Sequence, residues 1–196
     1  MPNIKPLSAS AAPLDVRALY EEFGQKMGFP AAPNFILTQG HSATVARGTW
    51  SAVLNVLVLG KIPRWTKEMI FVAISRDRGC LYCEAAHIAC CRMLGVNSET
   101  LDGLVRNIES VTDSRLRDMI NFSVKCSRAP RSVTADDYDM LRKHGLGESE
   151  IIELVGMSAL AVYANIIADA TAMEADPAFD ELAPQPAAAR TSSSHT

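Results

Sequence analysis

Two cysteines lie close together in the chain at a spacing that suits thiol chemistry. Cys80 and Cys83 form a C-x-x-C arrangement directly after Gly79, where a helix is predicted to begin. This spacing lets the two sulfurs meet in a disulfide across one helical turn. The helix N-terminus also favours a thiolate, through its partial positive charge and its unpaired N–H groups. Because the thiolate is the nucleophile in thiol redox steps, we predict a redox-active dithiol here.

Two side chains that can carry protons accompany the cysteines. His87 follows Cys83 by four residues, so that both lie on one face of a helix, where the histidine can act as a base toward the thiol. Glu68 precedes Cys80 by twelve residues on the preceding predicted helix, and a turn at 76–79 would bring it toward His87. We therefore predict that the two cysteines, Glu68 and His87 form one catalytic site.

The same region also allows a structural zinc site. Together with Cys91, the motif reads C-x2-C-x3-H-x3-C, which is close to a zinc knuckle. A knuckle wraps loops around the metal, however, whereas the span LYCEAAHIACC is a good helix. On a continuous helix, Cys80 and Cys91 would lie about 16 Å apart, which is too far to share one ion. We therefore predict no metal site, and we predict core or interface positions for Cys90 and Cys91 and a buried core position for Cys126.

Helical periodicity dominates the elements that must position this site, and no run has a sustained period of two. The predicted helices cover about 14–27, 34–47, 50–59, 67–76, 81–94, 98–107, 113–129, 134–145 and 148–173. The Val- and Leu-rich segment 50–59 also suits a strand. We predict one all-α bundle over 14–174, preceded by a flexible N-terminus (1–13) and followed by a disordered Ala/Pro/Ser/Thr-rich tail (175–196).

Composition narrows the class of protein. The 196 residues are 48% hydrophobic and 21% charged, which suits a single domain with a real core. The sequence has no cluster of basic residues with interleaved aromatics, so we do not predict a nucleic-acid partner. The N-terminus does not resemble a secretory signal, and the longest apolar segment, about 154–168, is short of the ~20 residues of a membrane span. Five unevenly placed cysteines do not form a secreted disulfide framework. We therefore expect a soluble cytoplasmic protein without a membrane partner.

The arrangement of the four site residues resembles the alkylhydroperoxidase D-like family, within the carboxymuconolactone decarboxylase superfamily. The family pattern is a glutamate, an interval of about twelve residues and then C-x-x-C-x-x-x-H, which Glu68, Cys80, Cys83 and His87 match. The segments WTKEMIFVAIS, CEAAHIA, SVTADDYDMLRKHGLGESEIIEL and AVYANIIADA resemble its peroxidase-related branch. The resemblance therefore covers roughly 33–172, most of the chain.

This resemblance implies an all-α fold and a thiol-dependent peroxidase that needs no cofactor. It implies that Cys83 attacks a hydroperoxide and becomes a sulfenic acid, and that Cys80 resolves it as a disulfide. An external dithiol, expected to be a protein, would restore the pair, while Glu68 and His87 relay protons. The family also implies a homo-oligomer, a trimer or a hexamer. The best-known members have a histidine between the cysteines, where this chain has Tyr82.

The helix start alone favours Cys80 as the attacking thiol, whereas His87 one turn later favours Cys83, and we follow the resemblance in predicting Cys83. We expect an antioxidant hydroperoxide reductase, but the motif also suits a thiol–disulfide oxidoreductase that acts on protein or small-molecule disulfides. A non-enzymatic redox sensor or adaptor, whose disulfide state alters a partner interaction, is a third reading.

Overall fold

The computed structural model describes residues 1–177 and 179, and these residues form nine α-helices and no β-strand. The helices are α1 (Leu14–Met27), α2 (Asn34–Gln39), α3 (Ala43–Ala52), α4 (Arg64–Arg78), α5 (Leu81–Met93), α6 (Ser98–Arg106), α7 (Ser114–Arg128), α8 (Ala135–Lys143) and α9 (Glu148–Ala170). A π-helical segment, Val53–Val58, continues α3, so that the predicted segment 50–59 is helical. The all-α class predicted from the sequence is confirmed.

Local signals account for most helix ends. Helix α1 ends at Gly28, whose φ of 86° is the left-handed conformation that glycine adopts without strain. Helix α8 begins at a capping-box sequence, Thr134 with Asp137 three residues later, in which the backbone N–H and the hydroxyl of Thr134 both donate hydrogen bonds to Asp137 Oδ2. The single helix predicted over 34–47 is wrong. It is two helices, because Ser42 accepts a hydrogen bond from a backbone N–H of the next turn and starts α3 afresh.

Helix α4 is the central helix of the bundle. It packs against α5, α7 and α9, and its residues 66–75 are all buried. Two of these residues are charged. Lys67 pairs with Glu153 at 2.9 Å and donates a hydrogen bond to the carbonyl of Leu59, which ties the end of the π-helical segment to α9. Glu68 contacts α5 instead. Of the two buried charged residues of α4, Lys67 therefore faces α9 and Glu68 faces the predicted site.

The segments outside the helical bundle contact it. The N–H of Asn3 donates to the carbonyl of Thr171 at 2.8 Å, and the N–H of Leu7 donates to that of Leu37 at 3.1 Å. The first 13 residues, for which flexibility is predicted, thus lie along α2 and the end of α9. Most of the predicted tail, 175–196, lies outside the described residues.

Helix α9 is apolar on both sides. Among the described residues it is the one helix that could span a membrane by length and composition, but half of its most apolar window is buried within the bundle, as in a core helix. Its other side carries an apolar stripe at helical spacing, whose members are exposed or half-buried: Ile152, Gly156, Ala159, Tyr163 and Ile166.

Candidate active site

The two cysteines of the C-x-x-C motif meet at the start of α5. Gly79 ends α4 with a φ of 76°, and this tight turn places Cys80 directly before α5 and Cys83 within its first turn. Both side chains are buried and both thiols are free. The Cys83 side chain and burial together raise the pKa of Cys80 well above its ordinary value, so that Cys80 remains a protonated thiol.

Beside the cysteines, the buried Glu68 pairs with the half-buried His87. The turn between α4 and α5 brings Glu68 Oε2 to 2.5 Å from His87 Nδ1. The other carboxylate oxygen accepts a hydrogen bond from Arg64 Nε at 2.9 Å. The imidazole stacks on the ring of Phe71, with 3.5 Å between ring centroids. Because Nδ1 is held by the carboxylate, His87 has Nε2 available to exchange a proton with another group.

A narrow apolar cavity adjoins Cys83 and His87. The space within it that is open to the centres of water-sized molecules is about 50 Å³, which is enough for a few waters. Cys83 lines this cavity and Cys80 does not, which favours Cys83 over Cys80 as the sulfur that meets a small substrate. The rest of the lining is mainly aromatic and aliphatic and includes Phe23, Met27, Phe29, Phe35, Leu57 and Leu160.

Cys90 is a cavity residue that the sequence analysis did not assign to the site. It is buried, as predicted, but it lines the cavity, and its sulfur lies within 4.8 Å of both a Glu68 oxygen and a His87 ring nitrogen. The sequence spacing does indicate that Cys90 lies near the site, because it follows Cys83 by seven residues and His87 by three, on the same helix face. Burial and then the negative charge of Glu68 raise the pKa of Cys90, while the positive charge of Arg64 opposes that rise.

The ligands of the zinc alternative are not brought together. Within the described part of the chain, Glu68, His87 and Cys90 are the one set of potential metal ligands, and neither Cys80 nor Cys91 belongs to it. Cys91 is buried away from the cavity, and Cys126 on α7 is half-buried. The Glu68 carboxylate of this set already pairs with the Arg64 guanidinium at 2.9 Å.

Residues 45–122, which contain all four predicted site residues, match the carboxymuconolactone decarboxylase family. No curated protein sequence gives a significant match.

Three solved structures share the fold. An uncharacterized peroxidase-related protein with an alkylhydroperoxidase AhpD core, from Ralstonia eutropha, superposes with a TM-score of 0.83 at 27% identity, over 91% of this chain and 94% of that one. A second uncharacterized peroxidase-related protein, from Silicibacter sp., gives a TM-score of 0.78 at 25% identity, over 85% and 87%. The debrominase Bmp8, in complex with 2,3,4-tribromopyrrole, gives a TM-score of 0.77 at 21% identity, over 91% and 94%, and is similar in fold alone.

Proposed function

The chain carries a domain of the carboxymuconolactone decarboxylase family over residues 45–122, and from this premise we propose that the protein is a thiol-dependent hydroperoxide reductase with a role in antioxidant defence. One observation carries the proposal: Cys83 shares a cavity with His87, whose Nδ1 is held by Glu68, while the free thiol of Cys80 lies directly before the helix turn that contains Cys83. The peroxidase-related proteins of similar structure support the same reaction class.

The first chemical step takes place in the cavity. His87 Nε2 accepts the Cys83 proton, directly or through one water, and the thiolate attacks the outer peroxide oxygen. The O–O bond breaks, Cys83 becomes a sulfenic acid, and the leaving alkoxide receives the proton from His87 and departs as an alcohol. Glu68 keeps the imidazole oriented and stabilises its cationic form, in the manner of a carboxylate behind a catalytic histidine.

Two further steps return the cysteines to their reduced state. The Cys80 thiol attacks the sulfenic sulfur of Cys83, a disulfide forms and water leaves. An external dithiol, for which we propose a protein, then reduces the disulfide by thiol–disulfide exchange and is itself oxidised. In sum, a hydroperoxide and a dithiol give an alcohol, water and a disulfide. The raised pKa of Cys80 suits this order, since Cys80 stays protonated while Cys83 reacts.

Burial of the two sulfurs favours a small substrate over the alternatives. Cys80 is 0% exposed and Cys83 is 2% exposed, so the disulfide of a folded protein does not reach either sulfur in this conformation. A hydroperoxide with a small organic group is the substrate class that we propose for this apolar cavity. Peroxide reduction is therefore our first proposal, ahead of thiol–disulfide exchange with protein substrates or redox sensing.

Counting thiols after one oxidative event tests the proposal. The reduced protein is mixed with one equivalent of tert-butyl hydroperoxide, and free thiols are counted over time. We expect the loss of two thiols in the parent protein, no rapid loss in Cys83→Ser, and a sulfenic acid trapped by dimedone in Cys80→Ser. Cys126→Ser is the control, because this cysteine lies outside the cavity, and it should react like the parent. No loss of thiols within minutes would reject peroxide reduction.

We also propose that the protein works as a homo-oligomer, a trimer or a hexamer, in which the apolar stripe of α9 contacts a second copy. The stripe repeats at alternating intervals of four and three residues, which is the spacing of a helix-to-helix seam. A second copy of the same stripe is self-complementary, since it has apolar residues at the same spacing.

A further inference from the structure

Tyr82, between the two cysteines, ties α5 to two distant segments of the chain. Its hydroxyl donates a hydrogen bond to Asp176 Oδ2 at 2.7 Å and accepts one from the N–H of Phe35 at 3.0 Å. The other oxygen of Asp176 accepts a hydrogen bond from the N–H of Asn34 at 2.9 Å. The start of α2, the first turn of α5 and the segment after α9 are therefore joined at one phenol and one carboxylate.

Phe179 completes one side of the cavity. It is 3% exposed, and its ring packs against Phe29 at 5.6 Å and edge-on against Tyr82 at 6.2 Å between centroids. All three rings line the cavity that contains Cys83. We call residues 174–177 and 179 the C-terminal wall. Its described polar contacts include those of Asp176 and a hydrogen bond from the Asn34 side chain to the carbonyl of Glu174.

Turnover requires part of this enclosure to open. A dithiol reductant must bring its own sulfur into line with the Cys80–Cys83 disulfide, yet both sulfurs are buried. Helices α4, α5 and α9 form the packed core and cannot separate without loss of the fold. The C-terminal wall follows the last helix and is held by a few contacts, so it is the part of the enclosure that opens at the lowest free energy.

We propose that the C-terminal wall is the movable cover of the active-site cavity and that Tyr82 and Phe179 determine which molecules reach Cys83. The inference deepens the proposed function and rests on it. With the wall closed, a small hydroperoxide reaches Cys83. With the wall open, a bulkier hydroperoxide or the reductant reaches the sulfur. The Tyr82–Asp176 hydrogen bond sets the balance between the two states.

Alkylation of Cys83 measures access without any peroxide chemistry. The reduced protein is treated with iodoacetamide, a small reagent, or N-(1-pyrenyl)maleimide, a bulky one, and modification of Cys83 is followed by peptide mass spectrometry. The ratio of the bulky-reagent rate to the small-reagent rate cancels any change in the intrinsic reactivity of the thiol. Tyr82→Phe and Asp176→Ala each remove the tether, the second without a change in α5. Phe179→Ala removes the ring itself.

We expect the ratio to rise about tenfold in Tyr82→Phe and Asp176→Ala, as for the loss of one charge-assisted hydrogen bond, and to rise in Phe179→Ala as well. Tyr138→Phe is the matched control, because Tyr138 packs on Phe122, outside the cavity, and its ratio should not change. An unchanged ratio in all three variants would overturn the movable wall even if peroxide oxidises the protein. A raised ratio in a protein that peroxide does not oxidise would instead support the wall and reject the peroxidase.

Discussion

Replacing Glu68 by glutamine tests the proton relay with little change in shape. The carboxylate is fully buried and has one oxygen on His87 and the other on Arg64. Glutamine keeps the size of the side chain but removes the negative charge. If His87 takes the Cys83 proton before the O–O bond breaks, the imidazolium then forms without its counter-charge, and the oxidation of Cys83 should slow.

The size of the effect follows from the geometry. Two opposite charges whose centres lie about 4 Å apart attract by about 4 kcal/mol at an effective dielectric constant of 20. Arg64 sits on the other oxygen of Glu68 and offsets part of this attraction, so we take half of it, about 2 kcal/mol, as the contribution to the step. A loss of about 2 kcal/mol corresponds to oxidation that is about thirtyfold slower.

The assay is the rate of thiol loss in a single turnover with tert-butyl hydroperoxide, with far-UV circular dichroism recorded at the same temperature to follow folding. Glu84→Gln is the matched control, because Glu84 lies on α5 and pairs with Arg76 outside the cavity. A folded Glu68→Gln protein that reacts at the parent rate would refute the relay. Equal slowing in both variants would show that the effect is general electrostatics and not a property of the Glu68–His87 pair.

Two further predictions concern stability and assembly. Burial raises the pKa of both Cys90 and Cys91, so above about pH 9 the unfolded chain loses thiol protons that the folded chain keeps, and the free energy of unfolding should fall by about 1.4 kcal/mol per pH unit for each thiol. Urea unfolding between pH 8 and 10 measures this slope. A slope in Cys91→Ala equal to that of the parent protein would contradict a raised pKa of Cys91. Ala159→Glu places a charge within the apolar stripe of α9 and should dissociate the oligomer, which light scattering measures as a lower mass. The control Ala135→Glu, on the exposed start of α8, should keep the mass of the parent protein. Equal masses for the parent and both variants would argue against the stripe as the contact.

The features that the sequence predicts well are local ones. A glycine that ends a helix, a capping box and a C-x-x-C motif each act over four residues or fewer. The helix ends at Gly28 and Gly79 and the capping box at Thr134 can therefore be predicted from the sequence without knowledge of the fold. The pairing of Glu68 with His87 spans nineteen residues, but it needs only that α4 fold back on α5 through one tight turn. The break at Ser42 is also local, yet it competes with the apolar periodicity on either side, and the periodicity alone suggests one longer helix.

The features that the sequence does not predict depend on distant packing. Tyr82 and Asp176 are separated by 94 positions, and no local pattern relates a tyrosine in a helix to an aspartate after the last helix. Arg64 lies one turn before Glu68, a spacing that predicts an ion pair, but the position of Cys90 beside Glu68 and His87 depends on how closely α4 and α5 pack. The cavity itself is a property of six or more segments together, which is why Cys90 is interpreted from sequence as a core residue.

Two thiols flank His87 on α5, and the structure gives a physical reason why one of them should react. Cys83 lies in the first helical turn and lines the cavity together with His87. Cys90 lies in the interior of the helix, where burial and the Glu68 carboxylate both raise its pKa. In the proposed reaction, the carboxylate that is the counter-charge of His87 therefore also raises the pKa of the neighbouring Cys90. We therefore expect one buried carboxylate to support proton transfer from Cys83 and at the same time to keep Cys90 protonated.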